Sequence, residues 1–254
     1  MYLQLCPSQL NQRYLLTTLP RFSQAWRLLS GSNLRLGHQV LAPLTKTLDL
    51  GVTFEHDLKF NDQISQMCSK AKQRLYMIKK RILSSDPGLL IKVYKMYVLP
   101  ILSYCSPIWN PHARENIIKI EKIQKRFTKS LAGYIDLSYK ERLIKSNLKS
   151  LELSRLHADM ILCYKILHDL VDIDKYNILR YELSSRITRG HNLKLRADKP
   201  NCDIYLFSYA YRVSKVWNSL SPNAVWAPTL GLFKHYLLGE DLSEFLVLKY
   251  DYDC

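Results

Sequence analysis

Several features that mark common protein classes are scarce or missing in this sequence of 254 residues. Its six cysteines (Cys6, Cys68, Cys105, Cys163, Cys202 and Cys254) form no C-x-x-C pair. That spacing argues against a zinc knuckle and against a dense disulfide framework, and it fits a reducing compartment. We therefore expect an intracellular protein, in the nucleus or the cytoplasm. No run of 18 apolar residues occurs, so no membrane span and no membrane partner is expected.

Recognisable catalytic motifs are also missing. There is no P-loop, no G-x-G-x-x-G, no G-x-S-x-G and no H-E-x-x-H. A two-metal centre needs carboxylates held close together. Closely spaced acidic residues include Asp172 with Asp174, Glu240 with Asp241, and Asp251 with Asp253, and none of these pairs lies between hydrophobic strands. The sequence therefore predicts no catalytic residue, no metal ligand and no cofactor in this chain.

The composition is that of a globular protein with a strong positive charge. Hydrophobic residues make up 47% of the chain and charged residues 23%, and the net charge is +15. With only eight glycines and ten prolines, a turn-rich β architecture is not expected. Most of the net charge lies between Asp62 and Gly133, a stretch that contains fourteen Lys or Arg residues and only four acidic residues. A basic balance of this kind points in general to nucleic acid, a membrane surface or an acidic protein as partner, and of these we do not expect the membrane.

The clearest pattern in this stretch is an amphipathic helix from Ile117 to Leu131. Its apolar residues, Ile117, Ile120, Ile123, Phe127 and Leu131, fall on one helical stripe at ~100° per residue. The opposite side carries Lys119, Lys122, Lys125, Arg126 and Lys129. Two interpretations are open: a solvated face, or a surface for a polyanion that offsets the repulsion between like charges. We favour the polyanion, most simply a nucleic acid.

The rest of the chain predicts a mainly α protein, a helical bundle with a short β or irregular lead-in. A helix from Leu58 to Leu83 carries Lys70, Arg74 and Arg81 on one flank of its apolar stripe, and Lys72 and Lys79 on the other. We predict Lys70, Arg74 and Arg81 as nucleic-acid contacts. The alternative for all five cations is that their stems lie on apolar surface while the charges stay in water. Helix signals follow at Asp86-Pro87, at Pro100, at Ser138 with Glu141, and at Thr229. Trp109 is interpreted as a core anchor.

A seam of apolar residues runs along a later helix, through Leu153, Leu156, Met160, Cys163, Leu167 and Leu170. It covers fewer than three heptads, so a buried bundle helix is favoured over a coiled coil. The seam also supports an alternative function, a helical protein–protein interaction module without a nucleic-acid role. Another helix is predicted from Ile204 to Leu220, with Phe207 and Trp217 on one side.

Four segments are expected from these patterns. Residues 1–57 form the lead-in, in which Asp49 to Phe54 is predicted to be one strand. Residues 58–135 form a basic helical bundle, and 136–238 a second helical segment that contains a long basic loop, 171–203. The loop offers Arg189, His191 and Lys194 as further nucleic-acid contacts, or as solvated charges. The acidic residues 239–254 are expected to be a loosely held tail.

Short strings along the chain also occur in a fixed order. They are Leu50-Gly51-Val52 with Leu58-Lys59-Phe60; Tyr94, Val98, Pro100, Tyr104 and Trp109-Asn110-Pro111; Ile120 to Lys125; Glu141-Arg142-Leu143 with Leu148 to Leu153; Thr188 to His191 with Lys194-Leu195; and Trp217 to Leu220 with Phe233-Lys234. Together they resemble the thumb and post-thumb region of reverse transcriptases from non-LTR retrotransposons of the jockey-like LINE group. The resemblance spans residues from about Thr47 to Leu237.

This resemblance implies a fragment of an RNA-directed DNA polymerase that grips a template–primer hybrid. In the family the catalytic aspartates, which use Mg²⁺, lie in a palm that would precede this sequence. Neither the Y/F-A-D-D strand nor the upstream aspartate is present, so the chain is predicted to be inactive as a polymerase on its own. The partners that it implies are an RNA–DNA hybrid or RNA, together with an intact reverse transcriptase or a second copy of the chain.

Overall fold

A computed structural model of the protein describes residues 35–36, 39–40, 46–55, 57–173, 175–179, 181–183, 191–196 and 206–249. As predicted, the protein is mainly α. Its elements in chain order are β1 Arg35–Leu36, β2 Gln39–Val40, β3 Lys46–Asp49, β4 Val52–Glu55, α1 Asn61–Arg81, α2 Pro87–Tyr97, α3 Leu99–Ser103, α4 Ser106–Trp109, α5 Arg114–Lys129, α6 Tyr139–Ser146, α7 Leu151–Leu167, α8 Lys175–Ile178, β5 Tyr181–Leu183, β6 Leu193–Leu195, α9 Tyr209–Ser219, α10 Pro222–Val225 and α11 Leu230–Gly239. Among these residues no helix combines the length and apolar character needed to cross a membrane.

The chain divides into two compact units. One, which we call the basic unit, comprises the described residues of Lys59–Leu156 and Leu242–Cys254. The other, the mixed unit of helices and strand pairs, comprises the described residues of Met1–Leu58 and His157–Asp241. The boundary falls inside α7, whereas the sequence placed a boundary at residue 135. The compact unit around the basic helix therefore includes α6 and the start of α7.

The helix boundaries in the basic unit follow the sequence signals. The Asp86 carboxylate accepts hydrogen bonds from the amides of Gly88 at 3.2 Å and Leu89 at 2.8 Å, and so caps α2. The chain leaves α2 after Tyr97, and Pro100 lies in the first turn of α3, where a proline needs no amide partner. Trp109 is fully buried, and its indole donates to the Tyr104 carbonyl at 2.6 Å, as a core anchor does.

The predicted basic helix is α5. Its apolar stripe is buried at Ile117, Ile120, Ile123 and Phe127, and the Phe127 ring stacks on Tyr94 of α2 with centroids 4.3 Å apart. A stacked aromatic pair contributes about 0.5–1.5 kcal/mol beyond its buried area. Because this stripe faces inward, the cationic positions between its residues face outward.

Polar residues of α5 also point inward and position the next two helices. Glu121 is 1% exposed and accepts a hydrogen bond from the Tyr139 hydroxyl of α6. Its carboxylate also accepts from the amides of Leu151 at 3.1 Å and Glu152 at 3.2 Å, at the start of α7. Gln124, fully buried, accepts from the Tyr94 hydroxyl at 3.0 Å. These contacts hold the N-terminus of α7 against the buried side of α5.

The described part of the acidic tail, up to Lys249, is packed rather than loosely held. Leu242 and Leu246 are buried. The Glu152 carboxylate accepts hydrogen bonds from the amides of Val247 at 2.7 Å and Leu248 at 3.1 Å. The sequence expectation followed the charge of the tail and did not consider the apolar residues between its acidic residues, of which Leu242 and Leu246 are buried.

The mixed unit begins, in its described residues, with antiparallel strand pairs. The prediction of one strand from Asp49 to Phe54 is wrong, because Leu50 and Gly51 form the turn of a hairpin that joins β3 to β4. Both turn residues have positive φ, 45° and 79°, as a two-residue hairpin of type I′ requires. The predicted loop 171–203 contains α8 and another antiparallel pair, in which β5 pairs with β6.

Helices α7, α9 and α11 supply the core of the mixed unit. The seam residues Met160, Cys163 and Leu167 are buried in this unit, and Leu156 is buried at the end of the basic unit. Leu153 is half-buried, and Leu170 is 53% exposed beyond the helix end. On α9 the buried face is Tyr209, Val213, Val216 and Trp217, while Phe207 precedes the helix and is exposed. Asp159 of α7, fully buried, pairs with Arg212 of α9 through two contacts of 2.8 and 3.3 Å. The seam is thus occupied by the fold itself.

Candidate nucleic-acid interface

The candidate site is a groove between α1 and α5 in the basic unit. Two side-chain hydrogen bonds align these helices near their N-termini. Asn116 Nδ2 donates to Asn61 Oδ1 at 2.8 Å, and Lys119 Nζ donates to Ser65 Oγ at 2.8 Å. Because the partners advance together along both helices, α1 and α5 run in roughly the same direction. Their facing sides line the groove farther along.

The groove has an apolar floor and a cationic rim. Leu75 of α1 and Ile123 and Phe127 of α5 contribute the floor, and Tyr76 of α1 stands beside it with 65% of its surface exposed. The groove encloses about 300 Å³, at the lower end of the range of ligand pockets. Five cationic side chains complete the lining: Lys72, Lys79, Lys119, Lys122 and Arg126.

Among the residues that the structure describes, no carboxylate joins that lining. Within the described ranges, Lys72, Lys79, Lys122 and Arg126 are exposed and form no ion pair. Glu121, which the sequence places in the middle of the cationic positions of α5, is buried on the opposite side of the helix. The groove therefore presents charge of one sign to the solvent.

Cations from the two helices act on a common region. Burial raises the pKa of the Cys68 thiol on α1, and the positive charges of Lys119 on α5 and Lys72 on α1 oppose that rise. A thiol that is buried and protonated in this way is a packing residue, because the thiolate is the reactive form. The positive charges of these two lysines, and that of Arg155, thus act on the same buried thiol.

The predicted nucleic-acid residues of the basic unit separate into two sets. Lys119, Lys122 and Arg126 line the groove. Lys70, Arg74, Arg81 and Lys129 are exposed but are not part of its lining. Lys125 is half-buried, with its Nζ 5.1 Å from the centroid of the Tyr139 ring.

Lys72 and Lys79 line the groove but were not among the predicted contacts. The sequence placed them on the flank of α1 opposite Lys70, Arg74 and Arg81. The periodicity of a single helix defines its two flanks, but which flank faces a second helix depends on tertiary packing. No signal in the sequence decided between them.

The residues predicted from the long loop lie in the mixed unit. His191 is 2% exposed, and its Nε2 donates to the Trp217 carbonyl at 3.0 Å. Burial lowers the pKa of His191 and that of Lys194, whose Nζ donates to the Asn218 carbonyl at 2.6 Å. Both side chains attach β6 and its flank to α9. Arg189 lies outside the described residues. We therefore leave these three residues out of the proposed interface.

The resemblance to reverse transcriptases implies Mg²⁺ in the intact enzyme. Across the described ranges, no three His, Cys, Asp or Glu residues lie together in a way that could hold a metal ion. The residues at hand do not fit such a centre, and we derive no metal-dependent step for this chain.

Comparison with known proteins finds a distant relative. No family model matches the chain, and no solved structure matches it. The chain is 25% identical over 114 residues to a Caenorhabditis elegans protein named "Uncharacterized protein B0403.1". The similarity covers 44% of this chain and 58% of that protein.

Proposed function

We propose that the chain binds nucleic acid through the groove between α1 and α5. The observation that carries the proposal is the ring of five cations, contributed by two helices, around a groove without an acidic residue in its lining. Four of these cations, Lys72, Lys79, Lys122 and Arg126, are exposed to solvent. Like charges held close together repel one another, and a polyanion offsets that cost. Phosphate contacts also supply most of the affinity for nucleic acid of any sequence.

We propose further that this groove belongs to the thumb-like part of a non-LTR retrotransposon reverse transcriptase. The first support is the order of the motif strings in the sequence. The second is the structural role of the residues in one of them, Ile120 to Lys125. Within Ile120 to Lys125, Glu121 and Gln124 are buried and hold other helices, while Lys122 is exposed on the rim of the groove. A string of this kind combines a scaffold and a binding face on one helix.

The chain would act as a binding fragment rather than as a polymerase. Its sequence contains neither the Y/F-A-D-D strand nor the upstream aspartate of the palm. In a primer-extension assay with Mg²⁺ and all four nucleotides, we expect no product from the purified chain. Extended primer would overturn this part of the proposal and would leave the groove assignment untouched.

The binding proposal is tested with two matched double variants of the full chain. Lys122→Glu/Arg126→Glu alters the groove, whereas Lys70→Glu/Arg74→Glu alters two exposed cations outside it. Both pairs have the same residue types and the same i,i+4 spacing on an exposed helix face. The net charge therefore changes equally in the two variants, and only the position differs.

Binding to a fluorescent RNA of about 12 nucleotides and to an RNA–DNA hybrid of about 12 base pairs is followed by anisotropy. We expect the groove variant to lose roughly tenfold or more in affinity and the control variant about threefold or less. Equal losses in the two variants would mean that binding depends on overall charge rather than on the groove. Absence of binding by the unaltered chain would refute the proposal.

A further inference from the structure

The floor of the groove is more apolar than contact with phosphates requires. Leu75, Ile123 and Phe127 line it, and Tyr76 lies beside them. Ile123 and Phe127 are buried, so the apolar surface open to an occupant is mainly that of Tyr76, which is 65% exposed, and of the half-buried Leu75. Covering exposed apolar surface contributes roughly 25 cal/mol per Å². An occupant that covers Tyr76 and Leu75 therefore gains energy that a purely ionic contact does not supply.

A double helix cannot use the floor well. In a duplex the bases are paired and stacked inside, and the surface that approaches a protein first is the sugar–phosphate backbone. An unpaired strand presents both parts at once, because its phosphates can follow the cations while a base turns its face to an aromatic ring. Cations combined with exposed aromatic side chains are the usual arrangement in proteins that bind single strands.

We infer that the groove between α1 and α5 holds an unpaired nucleotide of a single-stranded nucleic acid, with its base against Tyr76 and the apolar floor and its neighbouring phosphates against the cationic rim. This inference rests on the proposed function and specifies its ligand class. The rim cations Lys72 and Lys79 lie on α1, one helical turn to either side of Tyr76. When a base stacks on Tyr76, the long side chains of Lys72 and Lys79 can therefore reach the phosphates on its two sides.

Charge complementarity favours this occupant over an apolar peptide. A purely apolar helix would cover the floor but would leave five cations at its edge without counter-charge. An acidic amphipathic peptide satisfies both the floor and the rim, and the experiment separates it from a nucleic acid.

The test uses the full chain and an RNA of about 12 nucleotides with one 2-aminopurine, whose fluorescence falls when it stacks on another ring. Tyr76→Ala removes the ring and Tyr76→Phe keeps it. Tyr97→Ala is the matched control, because Tyr97 is an exposed tyrosine on α2, 52% exposed, outside the groove lining. Thermal melting of each variant checks that it is folded.

The expected result is that Tyr76→Ala weakens binding of the single strand about tenfold and removes the 2-aminopurine quenching, while Tyr76→Phe and Tyr97→Ala bind as the unaltered chain does. Binding of a blunt RNA duplex of the same length should be weaker than that of the single strand, and Tyr76→Ala should change it little.

Other outcomes overturn the inference in distinguishable ways. If Tyr76→Ala binds the single strand normally while Lys122→Glu/Arg126→Glu does not, the groove binds backbone alone and the proposed function stands. If neither RNA binds, the inference and the proposed function fail together. If a poly-glutamate peptide with interspersed leucines competes for the groove and RNA does not, the occupant is a protein.

Discussion

The Glu121 carboxylate on α5 accepts a hydrogen bond from the Leu151 amide at 3.1 Å and so caps the N-terminus of α7. An acidic residue in the middle of the basic helix therefore serves as an internal support. Burial raises the pKa of this carboxyl, and the hydrogen bonds from Tyr139, Leu151 and Glu152 oppose the rise. The same geometry keeps its negative charge away from the groove cations on the other side of α5.

Replacing Glu121 should destabilise the basic unit more than replacing any exposed acidic residue of that unit. We expect Glu121→Ala to lower the free energy of unfolding by about 3 kcal/mol, because buried amide donors lose a charged acceptor. The control is Glu115→Ala, an exposed residue in the first turn of α5, which should cost at most about 1 kcal/mol. Urea denaturation followed by circular dichroism measures both. Similar values for the two variants would show that the cap contributes little.

The buried ion pair of the mixed unit gives a second contrast. Asp159 is fully buried and pairs with Arg212, whereas Asp169 pairs with Lys175 at 2.7 Å on the surface. We expect Asp159→Asn to cost roughly 3–5 kcal/mol, since it leaves a guanidinium without its charged partner. Asp169→Asn should cost about 1 kcal/mol or less, because water and salt screen an exposed pair. A small effect at Asp159 would mean that Arg212 reaches solvent when its partner is lost.

His191 predicts a pH dependence of stability. Burial lowers its pKa from the usual 6.5, so the unfolded chain binds a proton more readily than the folded chain. Its contribution to stability is complete above pH 6.5 and is lost as the pH falls through the lower folded-state pKa. The unaltered chain should thus lose more stability than His191→Gln between pH of about 7.5 and 5. Parallel pH profiles for the two proteins would contradict this.

The sequence predicted those parts of the fold that depend on local patterns. The cap at Asp86, the capping box at Ser138 with Glu141, the cap at Thr229 and the inward stripe of α5 all follow from periodicity and end signals. It did not predict the hairpin turn at Leu50-Gly51. Leucine is unfavourable at positive φ, so its presence at the first turn position indicated a continuous strand. The sequence also did not predict the pairing of β5 with β6, because the formation of such short strands depends on a partner that is distant in the sequence.

The sequence predicted the groove cations of α5 but not those of α1. Lys119, Lys122 and Arg126 were found because α5 has a sharp division between its two faces. On α1 both flanks are basic, one with Lys70, Arg74 and Arg81 and the other with Lys72 and Lys79, and only the packing of α1 on α5 shows which flank lines the groove. His191 illustrates the opposite error, because a polar residue in a basic segment is buried against Trp217.

The salt dependence of RNA binding tests the central claim most directly. Five neutralised phosphates on a single strand predict a slope of log affinity against log salt of about −3.5, measured between roughly 50 and 200 mM salt. Lys122→Glu/Arg126→Glu should reduce that slope to about −2, while Lys70→Glu/Arg74→Glu leaves it near the original value. An identical slope for the groove variant and the unaltered chain, or an affinity that salt does not change, would contradict the assignment of the groove as a nucleic-acid site.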